Sequence, residues 1–83
     1  MEKHHQSIKG IVLPIEWDKD GRSRKIAVMT FDEDMFAVAS NHFEQVMNQH
    51  LRQIVSVDGE VSMRGNMKQI TVHRLLIHKM NPG

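Results

Sequence analysis

The chain has no cysteine and no tyrosine among its 83 residues. Without a thiol, disulfide bonds, thiolate metal sites and cysteine nucleophiles are excluded. No apolar run approaches the length needed to cross a membrane. The polar N-terminus has none of the apolar core that marks a signal peptide. We therefore expect a soluble cytoplasmic protein with no membrane partner.

The sequence also lacks the motifs that accompany catalysis and cofactor binding. It has no P-loop, no dinucleotide-binding glycine motif and no activating motif around any serine. Residues 18–21, Asp-Lys-Asp-Gly, resemble the start of a calcium loop, but Met29 stands where the bidentate glutamate belongs. His73 and His78 are five residues apart and fall on opposite faces of a regular strand. We expect no enzymatic activity, no cofactor and no metal site.

Neither sign of charge dominates, and aromatic residues are few. Eleven Lys and Arg oppose ten Asp and Glu, which gives a net charge of +1. A strongly basic balance is the clearer mark of a nucleic-acid-binding domain, so net charge alone does not indicate one. One Trp and three Phe supply the aromatic rings, and seven Met help to fill the core. The length suits one domain with a modest core.

What the sequence does contain is alternation of apolar and polar residues, most clearly over residues 53–78. The apolar positions of the first strand predicted there are Val55, Val57, Gly59, Val61 and Met63. Period-2 alternation is typical of a half-buried strand. Residues 64–66, Arg-Gly-Asn, predict the turn of a hairpin. Gly59 in the middle of a strand marks a bulge or a sharp bend.

Three further strands and a short helix are predicted before this hairpin. The strands span residues 8–17, 24–31 and 35–39. The helix opens at Asn41, whose side chain can cap it together with Glu44, and it ends near Arg52. Residues 8–78 then form one domain, flanked by a flexible N-terminal tail over 1–7 and a C-terminal tail over 79–83.

Two stretches carry more apolar residues than one buried face requires. Both faces of the second strand are largely apolar, so one packs into the core and the other is covered or binds something. Residues 75–77, Leu-Leu-Ile, cannot all point inward on a regular strand. Either a bulge intervenes or Leu76 is exposed and covered by a partner, for example a second copy of the chain.

Five segments together resemble the OB-fold. They are Ile11-Val12-Leu13, residues 24–30, residues 35–38, and the pair Val55-Ser56-Val57-Asp58-Gly59-Glu60-Val61 and Ile70-Thr71-Val72. The last pair is similar to the ending of OB-fold nucleic-acid-binding domains of the anticodon-binding and polymerase-associated type. The resemblance implies an all-β fold, a small five-stranded OB-type Greek-key barrel with one short α-helix between strands 3 and 4.

The resemblance also implies where a ligand binds. OB-folds bind ligands across strands 2 and 3, between the loops that join strands 1–2 and 4–5. Carried onto this chain, the nucleic-acid-binding residues are Trp17, Lys19, Arg22, Arg24, Lys25, Phe31, Arg64 and Lys68. The cations would neutralise phosphates, and Trp17 or Phe31 would stack on bases. Trp17 could equally be a lid over the barrel end, and its acidic neighbours would repel phosphate.

Two functions from different classes follow from these observations. The first is a non-catalytic module that binds single-stranded DNA or RNA with little sequence selectivity. The alternative is a protein–protein interaction or oligomerisation module, such as a homodimer, that uses the outer apolar face of strand 2 and the last strand.

Overall fold

The computed structural model describes residues 4–21 and 23–78, without the side chains of Ser23 and Arg24. The elements are β1 (His4–Trp17), β2 (Ser23–Thr30), β3 (Met35–Val38), α1 (His42–Met47), β4 (Ile54–Arg64) and β5 (Met67–His78). The predicted element order is confirmed. β1 begins at His4, so residues 4–7 lie in a strand, whereas the sequence suggested a tail there. Arg22 and the terminal segments 1–3 and 79–83 lie outside the described residues.

The five strands close into a barrel in the order β1-β2-β3-β5-β4. β3 and β5 run parallel, and the other neighbouring strands run antiparallel. β1 makes closure possible because it is long enough to pair with two strands. Its first half pairs with β4 and its second half with β2, and Gly10 is opposite both Val55 and Thr30. The predicted class, a small all-β five-stranded barrel with one short helix between strands 3 and 4, is confirmed.

Alternating residues of every strand fill the barrel. The buried apolar side chains are Val12, Ile26, Val28, Phe36, Val38, Met47, Val55, Val57, Val61, Ile70 and Val72. Branched side chains dominate this core, as expected for strands. Phe36 and Val38 of β3 face inward, with 3% and 6% of their surfaces exposed. On β1 the inward residue is Val12, so Ile11 and Leu13 point to the outside of the barrel, because neighbouring side chains alternate between faces.

Two glycines stand where the strands approach most closely. A Cβ on Gly10 would lie 2.2 Å from the carbonyl oxygen of Met29, and one on Gly59 would lie 2.2 Å from that of Thr71. The β4–β5 register shifts between Asp58 and Gly59, which confirms the irregularity predicted at Gly59. Close backbone approach at a bend is the physical reason for glycine here.

The pairing of β5 with β4 beyond this register shift determines which side chains of the last strand point inward. Leu75 is opposite Val57 and Ile77 is opposite Val55, and both pack against the core. Leu76 between them is 60% exposed. Pairing is regular from Leu75 to Ile77, so no bulge turns Leu76 inward, and its exposure agrees with the second of the two alternatives. A partner that covers Leu76 stays a prediction.

Helix α1 is shorter than predicted, and a polar side chain joins it to the barrel. The Asn41 side-chain oxygen accepts hydrogen bonds from the N–H groups of Phe43 and Glu44. The Asn41 amide nitrogen donates to the carbonyl oxygen of Val72, 3.2 Å away. Beyond Met47 the chain continues in turns until Arg52, whose φ of 68° directs it into β4. Among the described residues, no helix is long and apolar enough to span a membrane.

Candidate functional site

A groove of about 400 Å³ lies on the outside of the barrel, across β2 and β3. Its walls come from the end of β1, the start of α1 and the β4–β5 turn. The lining residues are Ile15, Glu16, Lys25, Ile26, Ala37, Val38, Ser40, Glu44, Arg64, Met67 and Gln69. The groove thus lies between the two connections that the resemblance assigned to a ligand site.

Local irregularities in two strands shape the groove. The β1–β2 register shifts between Pro14 and Glu16, and Ile15 at this shift is 36% exposed. On the other side, the hairpin turn after Arg64 places Met67 at the groove, where it is 40% exposed. Gly65 in this turn has a φ of 64°, a conformation that glycine adopts without strain. Two half-exposed apolar side chains therefore line the groove together with polar and charged residues.

The charges in the groove balance. Lys25 and Arg64 supply two cations, and Glu16 and Glu44 supply two carboxylates. Lys25, Arg64 and Glu16 are exposed, and Glu44 is half-buried in the first turn of α1. A groove with both signs of charge gives no strong field that favours a polyanion. Any anionic ligand must therefore follow a path on which its phosphates meet the cations and avoid the carboxylates.

The structure brings together part of the predicted nucleic-acid-binding set. Lys25 and Arg64 line the groove. Trp17, directly after Glu16, is 55% exposed at the end of β1, and Lys19 is exposed in the loop that follows. Arg22 and the side chain of Arg24 lie outside the described part of the structure.

Lys68 and Phe31 lie at the other end of β2. Lys68 forms an ion pair with Asp34 in the β2–β3 turn. Its ammonium also lies 4.9 Å from the centre of the Phe36 ring. Phe31 is 64% exposed and lines a second depression together with Asp32. Neither Lys68 nor Phe31 lines the groove, so the predicted set divides between two surfaces.

Several groove residues were missed by the sequence reasoning. They are Ile15, Ser40, Glu44, Met67 and Gln69. Gln69 lies beside Ala37 because β5 runs parallel to β3, a pairing between residues 32 positions apart. Alternation along one strand carries no information about which strand lies next to it. Glu44 was predicted only as a capping residue of the helix.

A second surface, the outer apolar face, covers the outside of four strands. Its members are the fully buried Ala27 and the half-buried Ile11, Leu13, Met29, Met35, Ala37 and Ile54, of which Ala37 also lines the groove. They are neighbours by register, since Met35 is opposite Met29, Met29 opposite Ile11, and Ile11 opposite Ile54. The outside of an antiparallel sheet is normally polar where it faces water. Leu76, also outward, lies on β5 opposite Ser56.

Comparisons with family models, with curated proteins and with solved structures gave no significant match. Within residues 4–21 and 23–78, no group of three or more His, Asp or Glu side chains is arranged to hold a metal ion. The fold and the two surfaces just described are therefore the basis for a functional assignment.

Proposed function

We propose that the protein is a non-catalytic module of the OB type that binds single-stranded nucleic acid in the groove across β2 and β3. The closed five-stranded barrel with a helix between β3 and β4 supports this assignment. OB-folds bind oligonucleotides on this face, between these connections. The observation that carries the proposal is that Lys25 from β2 and Arg64 from the β4–β5 turn line one groove.

A short single strand would use the groove in two ways. Its phosphates would contact Lys19, Lys25 and Arg64, and one base would stack on Trp17 at the end of β1. Each base stacked on an aromatic ring contributes about 1–3 kcal/mol. The carboxylates of Glu16 and Glu44 would keep the affinity low by repelling misplaced phosphates. Recognition of this kind depends on stacking and backbone charge, and has little sequence selectivity.

The salt dependence of binding tests this proposal. For single strands, log K falls with log salt with a slope of about −0.7 per neutralised phosphate, so the three described cations predict a slope near −2. We expect quenching of Trp17 fluorescence on titration with thymidine oligonucleotides, and Arg64→Glu to weaken binding about tenfold and to reduce the slope.

Arg74→Glu is the matched control, because Arg74 is an exposed arginine of β5 that does not line the groove. It makes the same charge change, so its effect reports only the change in net charge. An equal loss of affinity with Arg74→Glu and Arg64→Glu would contradict a ligand in the groove. Absence of binding at low ionic strength would refute the proposed function itself.

A second candidate function is supported by the outer apolar face. Its side chains form a row across β3, β2, β1 and β4, and such a contiguous apolar surface is typical of protein interaction sites. In this function the barrel is a protein–protein interaction or oligomerisation module. Leu76 extends the contact on β5.

A lysine within this face tests the second candidate. We expect Met29→Lys to abolish association with the partner, because a buried unpaired ammonium costs several kcal/mol. Leu76→Lys should weaken it less if Leu76 lies at the rim. Sedimentation velocity measures the association of the chain with itself. A complex that survives both substitutions unchanged would exclude this surface.

A further inference from the structure

Phosphate binding does not explain one of the two carboxylates in the groove. Glu16 and Glu44 both line the groove, and each repels a phosphate that comes close to it. Glu16 is opposite Lys25 in the β1–β2 register, so a cation on the neighbouring strand offsets its charge. Glu44 belongs to α1, which has no Lys or Arg. A carboxylate only accepts hydrogen bonds, so a ligand beside Glu44 must supply donors.

The backbone of Glu44 is held at both of its polar groups. Its N–H donates to the side-chain oxygen of Asn41 at 3.3 Å, and its carbonyl oxygen accepts from the N–H of Asn48 at 2.9 Å. Asn41 in turn donates to the carbonyl oxygen of Val72 in β5, 3.2 Å away. The start of α1 is thus tied to β5, and the half-buried Glu44 lines the groove from a fixed backbone.

The same wall of the groove carries two uncharged polar side chains. Ala39 donates its N–H to the carbonyl oxygen of Ile70 at 2.9 Å, which places Ser40 close to the neighbours of Ile70 in β5. One of these neighbours is Gln69, which lines the groove together with Ser40. A hydroxyl and a primary amide can each donate a hydrogen bond. The wall formed by α1 and β5 therefore combines the carboxylate of Glu44 with two groups that can donate.

The Watson–Crick edges of the bases differ in what they offer to such a wall. Guanine has two adjacent donors, N1–H and the N2 amino group, next to the acceptor O6. Adenine and cytosine each place their amino group beside an acceptor nitrogen, and thymine and uracil place one N–H between two carbonyl acceptors. A carboxylate repels an acceptor atom that lies beside it. Guanine is therefore the base whose edge can donate two hydrogen bonds to one carboxylate.

We propose that Glu44 selects guanine at one position of the bound strand, by accepting hydrogen bonds from N1–H and from the N2 amino group. Ser40 or Gln69 donates to O6 on the same edge. The groove, with a volume of about 400 Å³, is in the size range of pockets that enclose small molecules, which suits one base. The selection of guanine rests on the proposed function. The other bases are bound by stacking and backbone charge, so the strand as a whole keeps little sequence selectivity.

A single guanine within a thymidine strand gives the first test. A strand of about ten nucleotides matches the site size of one OB-fold. We expect guanine at the central position to tighten binding about tenfold relative to thymine, and adenine or cytosine there to change it less than about twofold. Fluorescence anisotropy of the labelled strand measures these affinities. Equal affinities for the guanine and thymine strands would overturn the selection of guanine and leave the proposed function standing.

Two modified bases identify the edge that the protein contacts. Hypoxanthine lacks the N2 amino group of guanine and keeps N1–H and O6, so we expect it to lose most of the preference. In contrast, 7-deazaguanine lacks only N7, which lies on the Hoogsteen edge, and should bind as guanine does. The reverse pattern would mean that the Hoogsteen edge is contacted, which contradicts the two hydrogen bonds to Glu44.

Glu44→Gln tests the protein side of the contact, and Glu16→Gln is the matched control. Each variant replaces one groove carboxylate by an amide of similar size. Removing a carboxylate lowers the repulsion of phosphates, so neither variant should weaken binding of the all-thymidine strand. We expect Glu44→Gln to reduce the guanine preference from about tenfold to less than about threefold, and Glu16→Gln to retain it. A preference that survives Glu44→Gln, or that both variants remove equally, would overturn the assignment to Glu44.

Two further outcomes separate this selection from the proposed function. A preference for adenine or cytosine that Glu44→Gln removes would mean that the carboxylate contacts a single amino group, and guanine selection would be wrong. Absence of binding to every strand at low ionic strength would refute the proposed function and the selection with it. Glutamine also suits this position at a helix start, so the variant should remain folded, which circular dichroism verifies.

Discussion

Replacing Gly59 by alanine is expected to lower the free energy of unfolding by about 3 kcal/mol, at the upper end of the usual cost of overpacking. The added Cβ would lie 2.2 Å from the carbonyl oxygen of Thr71 and 3.0 Å from Cγ1 of Ile70. The first of these atoms belongs to the backbone of β5, so a side-chain rotation cannot relieve the clash. The β4–β5 pairing itself must shift.

The loss is large relative to the whole stability of the domain. At about 0.05–0.15 kcal/mol per residue, a chain of this size has roughly 4–12 kcal/mol in total. Urea denaturation followed by circular dichroism measures the difference. Gly65→Asn is the control, because Gly65 has open space around it and Asn tolerates its positive φ of 64°. A loss below about 1 kcal/mol for Gly59→Ala would contradict the close approach of β4 and β5 at this residue.

Replacing Ile70 by alanine has the second large expected effect, a loss of about 4 kcal/mol. Ile70 is fully buried, and its position in β5 is opposite Val38 in β3 and Val61 in β4. It therefore packs where the parallel pair closes the barrel. Truncation removes the favourable transfer free energy of three carbons. It also leaves a cavity, which β3, β4 and β5 cannot fill without breaking the hydrogen bonds that close the barrel.

Leu76→Ala is the matched control on the same strand, since it also removes three carbons. Leu76 is 60% exposed, so we expect less than about 1 kcal/mol. Denaturant midpoints at equal slope compare the two variants. Similar losses for both substitutions would mean that β5 does not present Ile70 to the core, and the register of the barrel would have to be revised.

The local features of the fold could be predicted well from the sequence. Alternation is a property of a single strand, so the period-2 runs indicated five strands whose order the structure confirms. Gly59 was predicted to mark a bulge or bend, and the register shift lies next to it. The capping side chain of Asn41 also has the hydrogen bonds that its position predicted.

Helix length and strand bounds were less predictable. The apolar spacing after Asn41 extended to Arg52, but the helix ends at Met47. The chain must reach β4, and the hydrogen bond from Arg52 N–H to Val12 fixes where it does so. Similarly, residues 4–7 have a polar sequence but pair with β4, because backbone hydrogen bonds in a sheet do not depend on apolar side chains.

The candidate site could be predicted only in part. Of the residues predicted to bind nucleic acid, Lys25 and Arg64 line the groove, and whether they bind a ligand stays a prediction. Lys68 follows Arg64 by four residues, yet it forms an ion pair with Asp34 at the other end of β2. Residues close in a hairpin can point to opposite sides of a sheet. Which side faces the groove depends on how the hairpin packs against β3.

By itself, the amino-acid sequence determined the order of the strands and the helix, the all-β class, the absence of thiol chemistry and the irregularity at Gly59. These follow from composition and from the periodicity of neighbouring residues. Only the tertiary structure decided that Val12 faces inward and Ile11 outward, and that Met67 and Ile15 share a groove. Each of these depends on which strands meet when the barrel closes, and that is set by contacts between residues distant in sequence.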